Sequence, residues 1–347
     1  MSRFTFPAEW APHDATWIAW PHHEPDWPGK LAAITWVYVE IARVLALHER
    51  VEILCNDDGV RADAERVLAD HHVDANVRLH VVPTDRVWLR DSAPTFVHDE
   101  SGAVQLANWG FNAWAKYPNF ARDAEVGRAI EKITGLPRVE PTRPDTGARL
   151  ILEGGGIETD GEGTMLVTEE WLLSDEQVRN PGLGRDGYEQ AFRESLGIRH
   201  TIWLGEGCVG DDTHGHVDDI ARFVSPGVIV LAYEADPADD ENHRRSADNM
   251  RRLELAGAGE GALKVVKLPY PRPVMMRGER LPASYANFYI ANGVVLVPTF
   301  NDANDRIALE TLATLFPDRQ VVGIHAVDLV WGFGTLHCLT QQQIRRR

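Results

Sequence analysis

The sequence predicts an α/β protein: a closed propeller of five ββαβ units with pseudo-fivefold symmetry, in a single domain over residues 1–347. One observation is that two short strands, a helix and a further strand recur roughly every 70 residues, a period typical of repeat architectures. A second is that no linker-like or low-complexity segment divides the chain. A third is that the first unit lacks one strand, which the last segment can supply, so that joining them removes exposed sheet edges. An ordinary mixed α/β sheet is the alternative.

Each element is predicted from its local apolar pattern. Helices follow from apolar residues at helical period, as at Ile34, Val37 and Ile41. Strands follow from short β-branched and aromatic runs bounded by Gly, Pro, Asn or Asp. In chain order the units are strand 16–21, helix 30–47 and strand 51–55; strands 95–98 and 104–109, helix 123–134 and the weaker LPRVEP; strands 149–155 and 164–168, helix 186–196 and strand 201–204; strands 221–224 and 228–233, helix 240–255 and strand 263–269; strands 287–292 and 294–300, helix 306–316 and strand 320–326; and the closing segment 336–342.

Composition narrows the class of protein. A formal net charge of −17 argues against non-specific nucleic-acid binding, which needs a basic surface, and favours solubility and a cationic small substrate. No run of 18 apolar residues is present, and the start lacks the apolar core of a secretory signal. The three cysteines are odd in number and widely spaced, which favours free thiols in a reducing compartment. We therefore expect a cytoplasmic protein without membrane partners.

Two segments place acidic residues beside predicted strands. WLRDSAP (88–94) sets Trp88 and Asp91 just before a strand, and a surface Arg–Asp pair is the plainer interpretation. In LEGGG (152–156), Glu153 precedes three glycines, which allow the backbone to approach another group closely. A simple turn is the alternative there. A phosphate-binding loop is excluded because no Lys-Ser or Lys-Thr follows.

DDTHGHVDD (211–219) concentrates histidines and carboxylates. If the segment is extended, period two places His214, His216 and Asp218 on one face. Such a cluster fits a metal site. It fits equally a general acid–base histidine oriented by a carboxylate. A solvated acidic loop is the third interpretation.

WGFGTLHCLTQQ (331–342) carries Cys338. A strand would point the adjacent His337 to the opposite face, so we do not expect His337 to activate the thiol. A lone cysteine is often only a small buried hydrophobe, which is the interpretation that we give to Cys55 and Cys208.

Together these segments fit the hydrolysis of a guanidino group. Carboxylates hold a planar guanidinium through paired, charge-assisted hydrogen bonds. Only a strong nucleophile such as a thiolate can attack the guanidinium carbon. Attack by Cys338 would give a covalent amidino intermediate on this residue. A histidine would protonate the departing ammonia and then activate water. This chemistry predicts a small cationic guanidino substrate and requires no metal or organic cofactor.

The chain resembles the agmatine deiminase and bacterial peptidyl-arginine deiminase family of the guanidino-modifying (pentein) superfamily. The motifs that carry the resemblance span the whole chain: FPAEWAPHDATWIAWP, WLRDSAPTFV, LEGGGIETDGEGTMLVTEEWLL, GDDTHGHVDDIARF, ASYANFYIANGVVLVP and LHCLTQQ. The resemblance implies one deiminase domain with the pentein fold, a hydrolase of C–N bonds in linear amidines. It favours agmatine as substrate, N-carbamoylputrescine as product and a role in polyamine biosynthesis.

The resemblance also implies roles for individual residues. Cys338 matches the nucleophile and His216 the general acid/base. Asp91 and Asp218 match the carboxylates that grip the guanidinium, and Glu153 matches a glutamate beside the catalytic histidine. Two further residues match substrate contacts: Asp212, and Trp88 as a pocket wall with a cation–π face.

The chain departs from the usual agmatine deiminase pattern at two places. It has GFGTLHC, with Phe333 and Thr335, where such enzymes usually have GGGNIHC, and it has His214 where they commonly have Asn or another residue. The loop before the cysteine shapes the pocket for the substrate tail. Peptidyl arginine, free arginine and another small guanidine are therefore alternative substrates. The sequence also leaves a homo-oligomer open. The alternatives from other classes are a metal-dependent hydrolase using His214, His216 and Asp218, and a guanidine-binding protein without turnover.

Overall fold

The computed structural model describes residues 3–73, 75–258 and 263–347. The strands are β1 (Phe4–Thr5), β2 (His13–Ala19), β3 (Arg50–Cys55), β4 (Val77–Val81), β5 (Thr95–Asp99), β6 (Val104–Ala107), β7 (Arg138–Val139), β8 (Glu158–Thr159), β9 (Thr164–Thr168), β10 (His200–Leu204), β11 (Ala221–Ser225), β12 (Val228–Ala232), β13 (Lys264–Leu268), β14 (Met275–Met276), β15 (Glu279–Arg280), β16 (Tyr289–Ala291), β17 (Val294–Thr299), β18 (Gln320–His325) and β19 (Gln341–Ile344). The helices are α1 (Leu31–Ala46), α2 (Asp58–Asp70), α3 (Leu89–Ser92), α4 (Val126–Thr134), α5 (Glu169–Leu173), α6 (Arg185–Leu196), α7 (Asp240–Gly257), α8 (Ala303–Leu315) and α9 (Leu336–Leu339).

Five sheets in the described residues share one construction: two antiparallel strands and a third strand, parallel to the second, that follows a helix. The antiparallel pairs are β19–β2, β5–β6, β8–β9, β11–β12 and β16–β17. The parallel pairs are β2–β3, β6–β7, β9–β10, β12–β13 and β17–β18. The ββαβ order and the mixed α/β class are therefore confirmed, although each sheet is open and separate.

The last strand completes the first unit, as the sequence predicted. β19 pairs with β2 in antiparallel register, with Gln341 opposite Trp17 and Gln342 opposite Thr16. The sequence did not predict the additional helix α2 and the strand β4, which extend this sheet in parallel beyond β3.

One predicted strand is wrong. Residues 149–155 form only isolated bridges, and the first strand of that unit is β8. The reason is that other partners satisfy this backbone: the side-chain amide of Asn180 accepts from the Ile151 N–H and donates to the Ile151 carbonyl. The three glycines then make a short 3-10 helix, Gly154–Gly156, instead of continuing a strand.

The closing segment is also only partly a strand. Residues 336–339 form the single helical turn α9, and the strand begins at Gln341. The Thr340 hydroxyl donates to the carbonyls of Leu336 and His337, which satisfies carbonyls at the end of this turn.

The cores form where the predicted apolar faces meet the sheets. On α1, Ile34, Ile41 and Leu45 are fully buried, whereas Val37 is partly exposed and packs at the edge of the same core. None of the helices in the described part of the chain combines the length and apolarity that crossing a membrane requires.

Candidate active site

A pocket of about 360 Å³ opens beside Cys338. Four of the seven predicted site residues line it: Trp88, Asp91, Asp212 and Cys338. The other three, Glu153, His216 and Asp218, are buried and contact the lining residues. Further lining residues are Arg86, Trp114, Tyr117, Thr213, Gly332, Phe333 and Gly334.

Cys338 lies on α9 and is 6% exposed. The side-chain amide of Asn287 donates to its Sγ atom at 3.1 Å, and the thiol lies 3.6 Å from Oδ2 of Asp218. Burial, followed by the carboxylates of Asp218, Asp219 and Asp91, raises the pKa of the Cys338 thiol well above its ordinary value. The protein groups around this cysteine therefore favour its neutral thiol form.

Glycines in the preceding loop bring the backbone against the pocket wall. A Cβ at Gly334 would lie 2.8 Å from the Trp88 ring, and a Cβ at Gly332 would lie 2.6 Å from the same ring. Between them, Phe333 has φ of 65°, in the left-handed region, and its side chain lines the pocket. The loop thus holds Trp88 and Cys338 on adjacent walls.

His216 lies between two carboxylates. Its Nδ1 atom is 3.8 Å from Oδ1 of Asp91, and its Nε2 atom is 3.6 Å from Oε2 of Glu153. Burial opposes the charged imidazole, but the carboxylates, Asp91 first and then Glu153, outweigh it and raise the pKa of His216 to about 9. His216 is therefore an imidazolium at neutral pH, as a general acid must be.

Glu153 is fully buried and firmly held. The Trp171 indole donates to its Oε2 at 2.7 Å, and the Arg179 guanidinium donates to its Oε1 at 3.1 Å. Burial raises its pKa, but Arg179 and then His216 outweigh burial and lower the pKa of Glu153 to about 2. This carboxylate stays charged and orients the histidine.

Asp91 accepts two hydrogen bonds at 2.8 Å, from the Trp114 indole and from the backbone N–H of Gly155. Burial, with help from Asp218 and Glu153 and opposition from His216, raises the pKa of Asp91 to about 6. A bound cation would favour its charged form.

Gly155 marks the point where three predicted residues converge. A Cβ there would lie 2.6 Å from Nδ1 of His216, 3.0 Å from Oδ1 of Asp91 and 3.1 Å from Oδ2 of Asp218. Only a glycine leaves room for these side chains to meet. The prediction that the LEGGG loop permits a close approach is confirmed at this residue.

Asp218 is fully buried on the short 3-10 helix Val217–Asp219. Its Oδ2 lies 2.6 Å from Nδ1 of His337, and its Oδ1 has no hydrogen-bond partner among the described residues. Burial raises its pKa, but the hydrogen bond and charge of His337 outweigh burial and lower the pKa of Asp218. One oxygen of this carboxylate is anchored and the other is free for a ligand.

The strand on which the exclusion of His337 depended is not present, so that reason for excluding it was wrong. Because residues 336–339 form a helical turn, strand alternation does not apply there. The ring of His337 is 1% exposed and lies between Asp218 and Glu9, and it contacts the same Oδ2 atom of Asp218 as the thiol of Cys338.

Asp212 lies at the outer part of the pocket. It accepts from the Tyr117 hydroxyl at 2.6 Å and pairs with the Lys116 ammonium. Trp88 packs against Trp27 with ring centroids 5.6 Å apart, so that the wall it forms is itself supported by the core.

The metal alternative depended on an extended segment at 211–219, and that condition is not met. The segment is a turn followed by a 3-10 helix, with His214 at φ of 65°. The His214 ring contacts the Ser174 hydroxyl at 2.9 Å instead of joining His216. Within the described residues, the one group of three clustered ligand atoms is Asp218, Asp219 and Cys338, which includes neither histidine.

Sequence reasoning missed four residues that support the site. Asn287 holds Cys338, and Glu9, Arg222 and His337 form a buried ionic cluster behind Asp218. The available signal was the presence of charged residues inside otherwise apolar motifs, as at Glu9 in FPAEWAP and Arg222 in IARFV.

The chain is similar to known proteins over nearly its whole length. The agmatine deiminase of Stutzerimonas stutzeri is 36% identical over 366 residues, covering 98% of this chain and 95% of that protein. The structure of the agmatine deiminase of Enterococcus faecalis has a TM-score of 0.89 at 30% identity, covering 99% of this chain and 97% of that one. A Cys-to-Ser agmatine deiminase variant of C. jejuni with substrate bound has a TM-score of 0.88 at 26% identity, covering 99% of this chain and 97% of that one.

The fold and these relatives define the class: the protein is a hydrolase that acts on C–N bonds of linear amidines. The chain belongs to the Porphyromonas-type peptidyl-arginine deiminase family, whose model matches residues 5–343. The predicted family is therefore confirmed.

Proposed function

We propose that this protein hydrolyses the guanidino group of agmatine to N-carbamoylputrescine and ammonia, through a covalent amidino intermediate on Cys338. The observation that carries the proposal is the convergence of Asp91, His216 and Asp218 at Gly155, with Asp218 3.6 Å from the Cys338 thiol. A planar cation bound there would meet two carboxylates, an acid and a nucleophile.

The two carboxylates bind the guanidinium. Asp91 and the unpartnered Oδ1 of Asp218 supply acceptors on a buried surface where charge-assisted hydrogen bonds are strong. Bound cation also compensates the negative charges that raise the pKa of the Cys338 thiol, so the thiolate forms when substrate is present. Substrate binding and nucleophile activation are thus coupled.

The reaction proceeds in two halves. The Cys338 thiolate attacks the guanidinium carbon, a C–S bond forms, and the imidazolium of His216 gives its proton to the departing nitrogen, so that ammonia leaves as the C–N bond breaks. Neutral His216 then removes a proton from water, and the hydroxide adds to the amidino carbon. The C–S bond breaks as the added hydroxyl loses its proton to solvent, where the released ammonia takes it up as ammonium. The ureido product leaves, and the thiolate and imidazolium are restored.

Outer residues position the rest of the substrate. Trp88 offers an aromatic wall and Asp212 an anionic group at the outer part of the pocket. In this proposal Asp212 faces the ammonium end of agmatine once Lys116 moves aside.

A second candidate substrate, free or peptidyl arginine, is favoured by one observation. Arg86 lines the same pocket, its guanidinium lies 4.1 Å from the Tyr117 ring centroid, and Lys116 lies beside it on Asp212. Two cations near the outer end suit a substrate that carries a carboxylate.

We also propose that the five units form one domain closed in a ring. Contacts between neighbouring units support this: α1 with β18, β19 with β5, α6 with β1, β8 with β11, and β13 with α8. Each unit thereby touches two others.

Incubation of the purified protein with agmatine, arginine and an arginine peptide tests the proposal, with ammonia and ureido product as readouts, and Cys338→Ala as control. We expect chelator-insensitive release of one ammonia per ureido group from agmatine. A covalent adduct on Cys338, trapped by acid quench and detected by mass spectrometry, is expected during turnover. Preferred turnover of arginine would establish the second candidate, and release from none of the three would contradict both.

A further inference from the structure

The ring of His337 lies between two carboxylates in the interior of the protein. Its Nδ1 atom is 2.6 Å from Oδ2 of Asp218, and its Nε2 atom is 2.7 Å from Oε2 of Glu9. All three side chains are less than 5% exposed. A neutral imidazole has one N–H donor, so it would direct a lone pair at one of these oxygens. Both ring nitrogens face carboxylate oxygens, and an imidazolium, which carries a proton on each nitrogen, satisfies both contacts.

The surroundings hold this charge in place. Glu9 also accepts from Arg222 at 2.8 Å and from Arg90 at 3.1 Å, and Arg222 donates to Glu158 at 2.7 Å. The buried cluster thus has three cations, His337, Arg90 and Arg222, and three carboxylates, Glu9, Asp218 and Glu158. A balanced cluster with these hydrogen bonds compensates the burial of each charge.

His337 acts on one oxygen of Asp218 only. Because Oδ2 is taken by His337, the carboxylate cannot rotate freely, and Oδ1 is left as its unpartnered acceptor. The backbone of His337 is itself fixed, since its N–H donates to the side-chain oxygen of Asn287 at 3.0 Å, and the amide of that asparagine donates to Cys338. The positions of the Asp218 carboxylate and the Cys338 thiol are thereby both fixed by the helical turn 336–339.

We propose that His337 is a positioning residue for the deiminase reaction: as an imidazolium clamped between Glu9 and Asp218, it fixes Asp218 so that Oδ1 faces the substrate guanidinium. This role rests on the proposed function. His337 touches no reacting atom, and it acts through Asp218 alone.

Two substitutions separate the contacts of the ring. Asparagine at 337 places its amide near the position of Nδ1 and keeps a donor to Asp218, whereas glutamine extends towards Nε2 and keeps a donor to Glu9. We expect His337→Gln to lower kcat/KM for agmatine about tenfold more than His337→Asn, because a hydrogen bond to a charged group is lost at Asp218 in the first variant only. In a Cys338→Ala background, the Kd for agmatine should rise in the same order.

A merely structural role predicts a different result. In that case both variants would lose stability and activity together, and kcat/KM would follow the unfolding temperature regardless of the donor retained. Equal activity of the two variants, measured where both are folded, overturns the positioning role. Absence of ammonia release by the wild type overturns the proposed function and this role with it.

A second pair of variants decides the matter if neither histidine variant folds. Glu9→Gln removes the charge that faces Nε2 of His337, and Glu158→Gln removes a charge from the same cluster without contacting His337. We expect Glu9→Gln to raise KM and lower kcat several-fold, and Glu158→Gln to change both less, because only Glu9 contacts the ring of His337. Wild-type constants in Glu9→Gln would count against the role.

Discussion

The thiol of Cys338 lies 3.6 Å from Oδ2 of Asp218, a carboxylate whose negative charge disfavours ionisation of the sulfur. The protein on its own keeps this cysteine protonated. In the proposed reaction, a cationic substrate supplies the missing positive charge, so that the reactivity of the thiol depends on occupancy of the pocket.

Alkylation of the free protein should therefore have an unusual pH dependence. With Cys55 and Cys208 replaced by alanine, we expect the iodoacetamide reaction rate of Cys338 to keep rising above the ordinary thiol pKa of about 8.5. Asp218→Asn removes one of the charges responsible and should shift the profile to lower pH. A wild-type plateau near the ordinary thiol pKa would contradict the electrostatic account.

Cys338→Ser should bind agmatine but lose at least about a thousandfold in kcat, because a serine hydroxyl gives far less of its anion than a thiol does. Steady-state kinetics and calorimetric binding check the two parts. The control is Cys55→Ala, a buried cysteine outside the pocket, which should keep kcat. Turnover within tenfold of wild type in Cys338→Ser would remove the nucleophile assignment.

The role of the Asp91 carboxylate can be tested by comparing its substitution with that of Trp114, whose indole donates a hydrogen bond to it. Asp91→Asn should cost about 2–5 kcal/mol in kcat/KM, since the partner charge of the substrate is then left unpaired in a buried site. Trp114→Phe removes only the indole donor to Asp91 and should cost about 1 kcal/mol. Similar losses in the two variants would argue that the charge of Asp91 does not bind substrate.

The raised pKa of His216 predicts that the stability of the protein depends on pH. Its pKa of about 9 in the folded protein lies above the ordinary value of 6.5, so its contribution is complete below about pH 6.5 and is lost as pH rises through about 9. Urea unfolding of wild type and His216→Gln should give a difference in free energy of unfolding that is larger at about pH 6 than at about pH 10. A constant difference would show that the imidazole is neutral throughout.

Phe333 restricts the pocket from a left-handed backbone position. Phe333→Gly should relieve about 1 kcal/mol of backbone strain and widen the outer pocket. We expect the ratio of kcat/KM for an arginine peptide to that for agmatine to rise, while Phe333→Leu, which keeps bulk, changes it little. An unchanged ratio in the glycine variant would mean that Phe333 does not select the substrate tail.

The sequence predicted those elements whose signals are local. The apolar period of α1 and the β-branched runs of β12 and β17 identify a helix and two strands without reference to the rest of the chain. Motifs likewise pointed to all the acidic residues that the structure brings together at Gly155. Local signals were sufficient because each unit forms its own sheet.

The wrong predictions concern segments whose structure depends on partners that are distant in sequence. Residues 149–155 have a strand-like composition, but the amide of Asn180 takes the backbone hydrogen bonds of Ile151. The alternation argument misplaced His337 because Thr340 and the glycine-rich loop favour a helical turn at Cys338. Nothing near Glu9 in the sequence indicates that its partner is 328 residues away.

That separation has a consequence for refolding. In the native structure the contact of Asp218 with His337 joins residues 119 apart in sequence, and that of Glu9 with His337 joins residues 328 apart, next to the pairing of β19 with β2. Contacts between such distant segments form slowly, because a long loop must close before they are gained. Recovery of catalytic activity after denaturation should therefore lag behind recovery of helix and strand content. The rate at which activity returns would then report the rate at which the two ends of the described chain pair.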